Sequence, residues 1–321
     1  MAVEIVPFDD AYREHRSALV SLHYHAWGGL DDLASIRTAR RSGFPFTPYL
    51  GLYAREGDAL LSAVIVSRYR VTTPDGPETV AGIEMVMTRP DAMRRGLAGY
   101  LLREVHRRER SDGQRLSLLC TGRSNLAREL YLKLGYQDIF YPRATLRYVN
   151  RPATRSPPGY RVRRARASDA SALARLHRRA NAGSLGFAQR NPPSYRLRFL
   201  SGNVAARNLF VAERSGRIEG YATLEAHPTW NRAAEVIAPT PDGRSALMAT
   251  LERRSRARWL VLGSGWFGGD NDPELARFGP LTPSYGVMMA CPLAPALRGR
   301  DLYQWLRSES RPFACQLLDL F

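Results

Sequence analysis

The run VMTRPDAMRRGLAGYLLREV, residues 86–105, sets two arginines and a glycine between an apolar stretch and an amphipathic one. That order suits an anion. The first amide N–H groups of a helix have no partner within it, and the helix dipole adds about half a positive charge there, so a pyrophosphate can rest on the N-terminus. Gly96 would let the backbone approach a ligand closely and Ala98 keeps the next approach position small. Arg94 and Arg95 would add charge-assisted hydrogen bonds around phosphates.

Positioning such a loop takes a strand before it and a helix after it. Apolar Leu97, Leu101, Leu102 and Val105 share one helical face over 96–110, and period-two patterning predicts a strand over 80–88. Further strands are expected at 3–6, 49–55, 60–71, 116–120, 136–140 and 144–149, with helices over 12–27 and 125–134. The last strand, 144–149, is expected to close this unit. NRPATRSPPG, rich in Pro, Ser and Gly, then reads as a linker.

With these elements in place, the first 149 residues resemble the GNAT superfamily of acetyl-CoA-dependent N-acetyltransferases. MRRGLA, residues 93–98, stands where the family has Gln/Arg-x-x-Gly-x-Gly/Ala, with Met93 at the first position and Pro90 and Thr88 ahead of it. SNLARELYLKLGY, residues 124–136, is similar to the family's later helix: Ala127, Tyr131, Lys133, Gly135 and Tyr136 match, while Ser124 takes the usual Asn position and Asn125 follows. The resemblance implies that acetyl-CoA is the co-substrate. It would be bound by Val86, Met87, Thr88, Met93, Arg94, Arg95, Gly96, Leu97, Ala98 and Gly99, and by Ser124, Asn125, Ala127 and Tyr131. It also implies that main-chain groups at 86–88 support the thioester carbonyl and that Tyr131 protonates the leaving sulfur. Glu84 is the best base candidate, because alternation by two puts it on one strand face with Val86 and Thr88. Water in its place is the other possibility.

The order repeats in the second half. A strand at 160–164, a helix over 168–182 capped by Ser168, a hairpin from Asn208, a strand at 233–238, a helix over 242–254 and a strand at 260–263 follow the first unit. ELARFG, from Glu274, lies against LYLKLG, from Leu130, and a final helix and a strand at 313–321 are expected after Pro292. The glycine loop is not repeated: APTPDGRSALMATLERR follows the matching strand, and Leu275 stands at the Tyr131 position. The fold class is therefore α/β (α+β), two tandem GNAT-like domains, each a mixed, mostly antiparallel sheet flanked by helices. A GNAT domain at 1–149 with the acetyl-CoA site, a linker at 150–158 and a degenerate domain at 159–321 are expected.

Composition narrows the rest. With 321 residues, 44% of them hydrophobic, the chain can bury two cores. No apolar run approaches the ~20 residues of a membrane span, and the acidic start MAVEIVPFDDAYREH is unlike a signal peptide. A cytoplasmic protein is expected. Cys120, Cys291 and Cys315 are widely spaced and form no Cys-x-x-Cys pair. His23 and His25 would point about 200° apart on a helix, and no metal site is expected. Cys120 is read as a small buried hydrophobe. The net charge of +17 comes almost wholly from arginine and concentrates in the second half, where 151–198 holds twelve arginines and one acid, Asp169. The function expected is acetyl transfer to a small-molecule amine by direct attack, in a monomer (a pseudo-dimer) or a homodimer. The alternatives are an acyl-CoA-responsive binding protein and an acetyltransferase docking on an acidic macromolecule through the arginine-rich half.

Overall fold

The computed structural model describes residues 3–27, 46–150, 156–186, 188–200, 208–255, 257–263 and 273–307. The chain starts with β1 (Glu4–Pro7) and two helices, α1 (Phe8–Glu14) and α2 (Arg16–Trp27), where one helix was expected. Then come β2 (Phe46–Glu56), β3 (Ala59–Thr73) and β4 (Gly76–Thr88). They are joined by tight turns at Gly57 and at Pro74–Asp75–Gly76, both glycines having positive φ. The loop leads to α3 (Leu97–Ser111), β5 (Leu116–Gly122), α4 (Ala127–Lys133) and β6 (Gln137–Phe140). Helix α3 sets Leu101, Leu102 and Val105 against Leu52, Val64 and Val66 of the sheet, each buried side chain contributing about 1.5–3 kcal/mol. Helices α1 and α2 cover the opposite face with Phe8, Leu19 and Leu22.

The second half repeats the plan. Strand β8 (Tyr160–Arg164) precedes α5 (Ala170–Ala180) and α6 (Pro192–Leu200), and β9 (Leu209–Arg214), β10 (Arg217–Ala226) and β11 (Trp230–Ile237) form the meander. Ser215 and Gly216 both have positive φ, as a type I′ hairpin requires. Next come α7 (Pro241–Arg254), β12 (Trp259–Leu262), α8 (Pro273–Ala276), β13 (Thr282–Pro283), β14 (Gly286–Pro292) and α9 (Leu302–Leu306). Ser168 does not cap α5. It lies in a 3-10 turn, Ala167–Asp169, where the Asp169 carboxylate accepts from the Arg166 N–H at 2.7 Å.

Each half builds a seven-stranded sheet, in the orders β1-β2-β3-β4-β5-β14-β6 and β13-β7-β12-β11-β10-β9-β8, where β7 is Arg143–Tyr148. Among the described strands, only β4–β5 and β11–β12 pair in parallel. The two units have exchanged a strand. The strand expected to close the first unit, β7, belongs to the second sheet, and β14 from the far end of the chain fills the slot between β5 and β6. Burial explains the choice. The slot is covered on both faces, so it takes a strand apolar on both: Val287, Met289 and Cys291 face α3 and α4, while Met288 and Ala290 face Leu297, Leu302 and Leu306. RATLRY could not fill it without burying arginines. The crossings touch where the Ser284 N–H donates to the Pro142 carbonyl at 2.7 Å. The strand expected at 313–321 lies outside the described residues.

Candidate functional site

The loop closes through a 3-10 turn, Pro90–Ala92, and two residues of positive φ, Arg94 (+63°) and Gly96 (+76°). Gly96 is the N-cap of α3 in the left-handed region, with no side chain capping the helix and no acid in its first turn. The amides of 97–99 are left open and electropositive, as an anion site needs. Arg95 donates twice to Glu56, at 2.8 and 3.2 Å, whereas Arg94 has no side-chain partner among the described residues. Met93 is exposed and Leu97 buried in the core. Gly99 is also buried. A Cβ there would meet Leu130 of α4 at 3.4 Å, so its role in the fold is helix packing.

Beyond the loop, β4 and β5 pair only over Ala81–Ser117, Gly82–Leu118 and Ile83–Leu119, and then separate. The alternate main-chain groups of 84–88 that point away from β3 have no strand opposite them, which leaves donors for a carbonyl oxygen. At the parting, Ile65 pairs with Met85 and Val66 with Ile83, so Glu84 is the extra residue of a β-bulge. The bulge overturns the expected face for Glu84. Val86 packs with the α3 side, whereas the Glu84 carboxylate accepts from the hydroxyl of Tyr69, which packs with Val80 and Leu118 on the opposite face. Gly82 makes this possible, because any Cβ there would strike the Tyr69 ring at 2.4 Å. Burial pushes the Glu84 carboxyl above its usual range, against the opposing pull of the Ser67 and Tyr69 hydroxyls. Thr88 ends the strand with its hydroxyl 2.9 Å from that of Ser62, which donates to the Met87 carbonyl at 2.8 Å. Tyr69, Gly82 and Ser62 were missed from sequence. A glycine two residues before an acid in an otherwise apolar strand was the only signal.

Tyr131 projects from α4 into the core on the opposite face of the sheet, 6% exposed, its ring 5.8 Å from that of Tyr136. Burial pushes its hydroxyl up to about 12, and the hydroxyl has no hydrogen-bond partner among the described residues. Asn125 holds the start of α4, its side-chain oxygen accepting from the Ala127 N–H at 3.0 Å; Ser124 is exposed beside it. Cys120, the first residue of β5 past the last paired one, is a thiol raised to about 11 by burial, as its reading as a hydrophobe expects. His23 is buried and His25 exposed, so the two rings do point apart.

A family model described as an acetyltransferase (GNAT) domain matches residues 11–139. This segment is a GNAT acetyltransferase domain. Solved structures extend the likeness to both units. A GCN5-related N-acetyltransferase from Kribbella flavida matches with 18% identity over 90% of this chain and 70% of its own, TM-score 0.64. A tandem GNAT protein from the clavulanic acid biosynthesis pathway matches with 15% identity over 92% of this chain and 99% of its own, TM-score 0.58. Eis1 from Mycobacterium abscessus has 16% identity over 91% and 74%, TM-score 0.58. At these identities the likeness is one of fold: two tandem GNAT-like domains. No curated protein matches by sequence.

The second GNAT-like unit keeps the geometry and has lost the groups. Thr223 pairs with Glu235 and Leu224 with Ala233, so Ala234 takes the bulge position that Glu84 holds in the first. The N-terminus of α7 is closed to anions. The Thr240 hydroxyl accepts from the Gly243 N–H at 3.1 Å, Pro241 has no N–H and Asp242 adds a negative charge. The buried Arg244 donates to the Ala238 carbonyl at 2.7 Å, across the strand exit. Of the arginines in 151–198, Arg163 is paired with Asp169 and Glu213 and Arg190 with the buried Glu235, whereas Arg161, Arg164, Arg175, Arg178 and Arg179 are exposed. No described helix is long and apolar enough to cross a membrane.

Proposed function

We propose that the protein is an N-acetyltransferase that moves an acetyl group from acetyl-CoA to an amine, with all chemistry in the unit built mainly from residues 1–149 and with the unit built mainly from 159–321 as a non-catalytic partner. Because β7 lies in the second sheet, residues 150–158, expected as a linker between the units, connect β7 to β8 of that sheet. One observation carries the reading: the β4–β5 opening has a carboxylate with raised pKa on one face and a buried, protonated phenol on the other, next to an uncapped helix. The pyrophosphate of acetyl-CoA fits the amides of 97–99 and Arg94, because that helix end holds neither a cap nor an acid.

In this reading the amine approaches from the Glu84 face and the sulfur leaves on the Tyr131 face. The amine nitrogen bonds the thioester carbonyl carbon, and the oxyanion is held by main-chain N–H groups of 84–88. As the C–S bond breaks, the amine's extra proton passes to Glu84, directly or through one water. Tyr131 donates a hydrogen bond to the departing sulfur. With a thiol near about 8.5 and a phenol at about 12, complete proton transfer from Tyr131 would run uphill, so the phenol stabilises the thiolate chiefly as a donor.

The test is calorimetric titration with acetyl-CoA of the wild type, Arg94→Glu and Gly96→Glu. Saturable binding, weakened at least about tenfold in Arg94→Glu and lost in Gly96→Glu, supports the site. A wild type that binds no acetyl-CoA refutes the reading.

A further inference from the structure

We infer that the acceptor is a primary amine with an aromatic or similarly bulky uncharged body, and that the body lies in the cavity where the two units cross. The inference rests on the transferase reading above and adds the substrate class to it. The cavity encloses about 560 Å³ against the second sheet, lined by Leu146 of β7, Trp230 of β11, Trp259 and Val261 of β12, and Tyr285 of the crossing. Pockets of this size hold small organic molecules.

Three features of the wall argue for that occupant. Leu146, Trp259 and Tyr285 are 56%, 43% and 76% exposed, and Tyr148, with its ring 5.0 Å from that of Trp259, is exposed beside them. Large apolar side chains concentrated in water mark a binding surface. On the first sheet the matching face of β5 and β14 is covered by Leu297, Leu302 and Leu306, and none of the described helices covers it on the second. Ala234, at the bulge, also faces the cavity, so a methyl group stands where the first unit has a carboxylate. Charge argues against the main competitor. Among the described residues no acid lines the cavity, whose charged side chains are Arg143 and Arg232, the latter paired with Glu225, so a polyamine finds no counter-charge on the wall.

The cavity also adjoins the reaction centre. A Cβ built on Gly286 would lie 3.8 Å from Pro142 and from Ser284, both on the cavity wall, and 3.9 Å from the sulfur of Cys120. Cys120 and Glu84 are the first residues past the last β4–β5 pair; Cys120 packs in the cluster that holds Tyr69, whose hydroxyl donates to Glu84, on the face from which the amine approaches. An amine whose body fills the cavity therefore points its nitrogen back along β5 towards the opening.

The experiment compares tryptamine, butylamine and spermidine by acetyl-CoA-dependent thiol release, in the wild type, Trp259→Ala and Leu146→Arg. Both substituted side chains are exposed, so the fold should survive. The expected result is a KM for tryptamine at least about tenfold below that for butylamine, weak use of spermidine, and a KM for tryptamine raised about tenfold in each variant with acetyl-CoA affinity kept. Equal use of all three amines, or a tryptamine KM unchanged in both variants, overturns the inference while leaving the transferase reading intact. If no amine is acetylated, saturable calorimetric binding of tryptamine that Leu146→Arg abolishes still supports the cavity, and the transferase reading alone fails. A wild-type dimer that Leu146→Arg makes monomeric without altering the tryptamine KM would mark a contact between copies and would also overturn it.

Discussion

Glu84 is a carboxyl whose pKa burial raises and the Ser67 and Tyr69 hydroxyls restrain. A base must be ionised, so kcat/KM should fall as pH drops through that raised value, above the ordinary glutamate value of about 4.3. Tyr69→Phe removes one of these two restraints and should move the acid limb to higher pH, and Ser67→Ala in the same background should move it further. Glu84→Gln should abolish the limb and lower kcat by about 10²-fold or more. A pH profile unchanged in Tyr69→Phe would remove Glu84 from the reaction. Stability should move the other way. The stability that a protonated Glu84 contributes is fully present below about pH 4.3 and is lost as pH rises through the folded value. At pH 7, therefore, Glu84→Gln should unfold at higher urea than the wild type, and the difference should close in acid. Tyr131→Phe should lower kcat about 10- to 100-fold with acetyl-CoA binding kept, the loss expected of one hydrogen bond to a developing charge.

At the scale of elements, α3 and α7 occupy corresponding places with opposite ends. Thr240→Ala should destabilise the protein by about 1 kcal/mol in urea unfolding, because its hydroxyl caps Gly243. The equivalent position in α3, Gly96, caps nothing and keeps the amides open. This asymmetry was legible in the sequence, since PDGRS in place of MRRGLA changes both the glycine and the charge at the helix start. So were the hairpins and the repeat, because turn residues and hydrophobic period are local signals. The bulge at Glu84 was not. Strict alternation assigns Glu84 to the face of Val86, and one inserted residue reverses that without leaving a mark in the composition. The partners of 143–148 were equally hidden. The all-apolar GVMMAC was the available clue that a strand covered on both faces lay elsewhere in the chain.

For the whole molecule, the exchange of β7 and β14 makes each sheet depend on the other half of the chain. The second unit also ties β7 down through the buried Glu252, which accepts from Arg147 at 3.1 Å and from Arg277 at 2.9 Å. Calorimetry should then show one endotherm for both units, with calorimetric and van't Hoff enthalpies in agreement. Two resolved transitions would mean that the sheets fold separately despite the exchange. Such dependence gives a reason to retain a unit whose own anion site is closed.

The exchange also sets a timetable during synthesis. Strands β5 and β6 leave the ribosome with a gap between them, and the strand that fills it emerges about 150 residues later, an interval of roughly 7 to 30 s at ordinary elongation rates. For that interval the nascent first unit carries two unpaired strand edges beside an apolar core. A premature stop codon between residues 150 and 286 would therefore do more than delete the tail. It would deny the first unit its inner strand, although every residue of the candidate acetyl-CoA site had already been made.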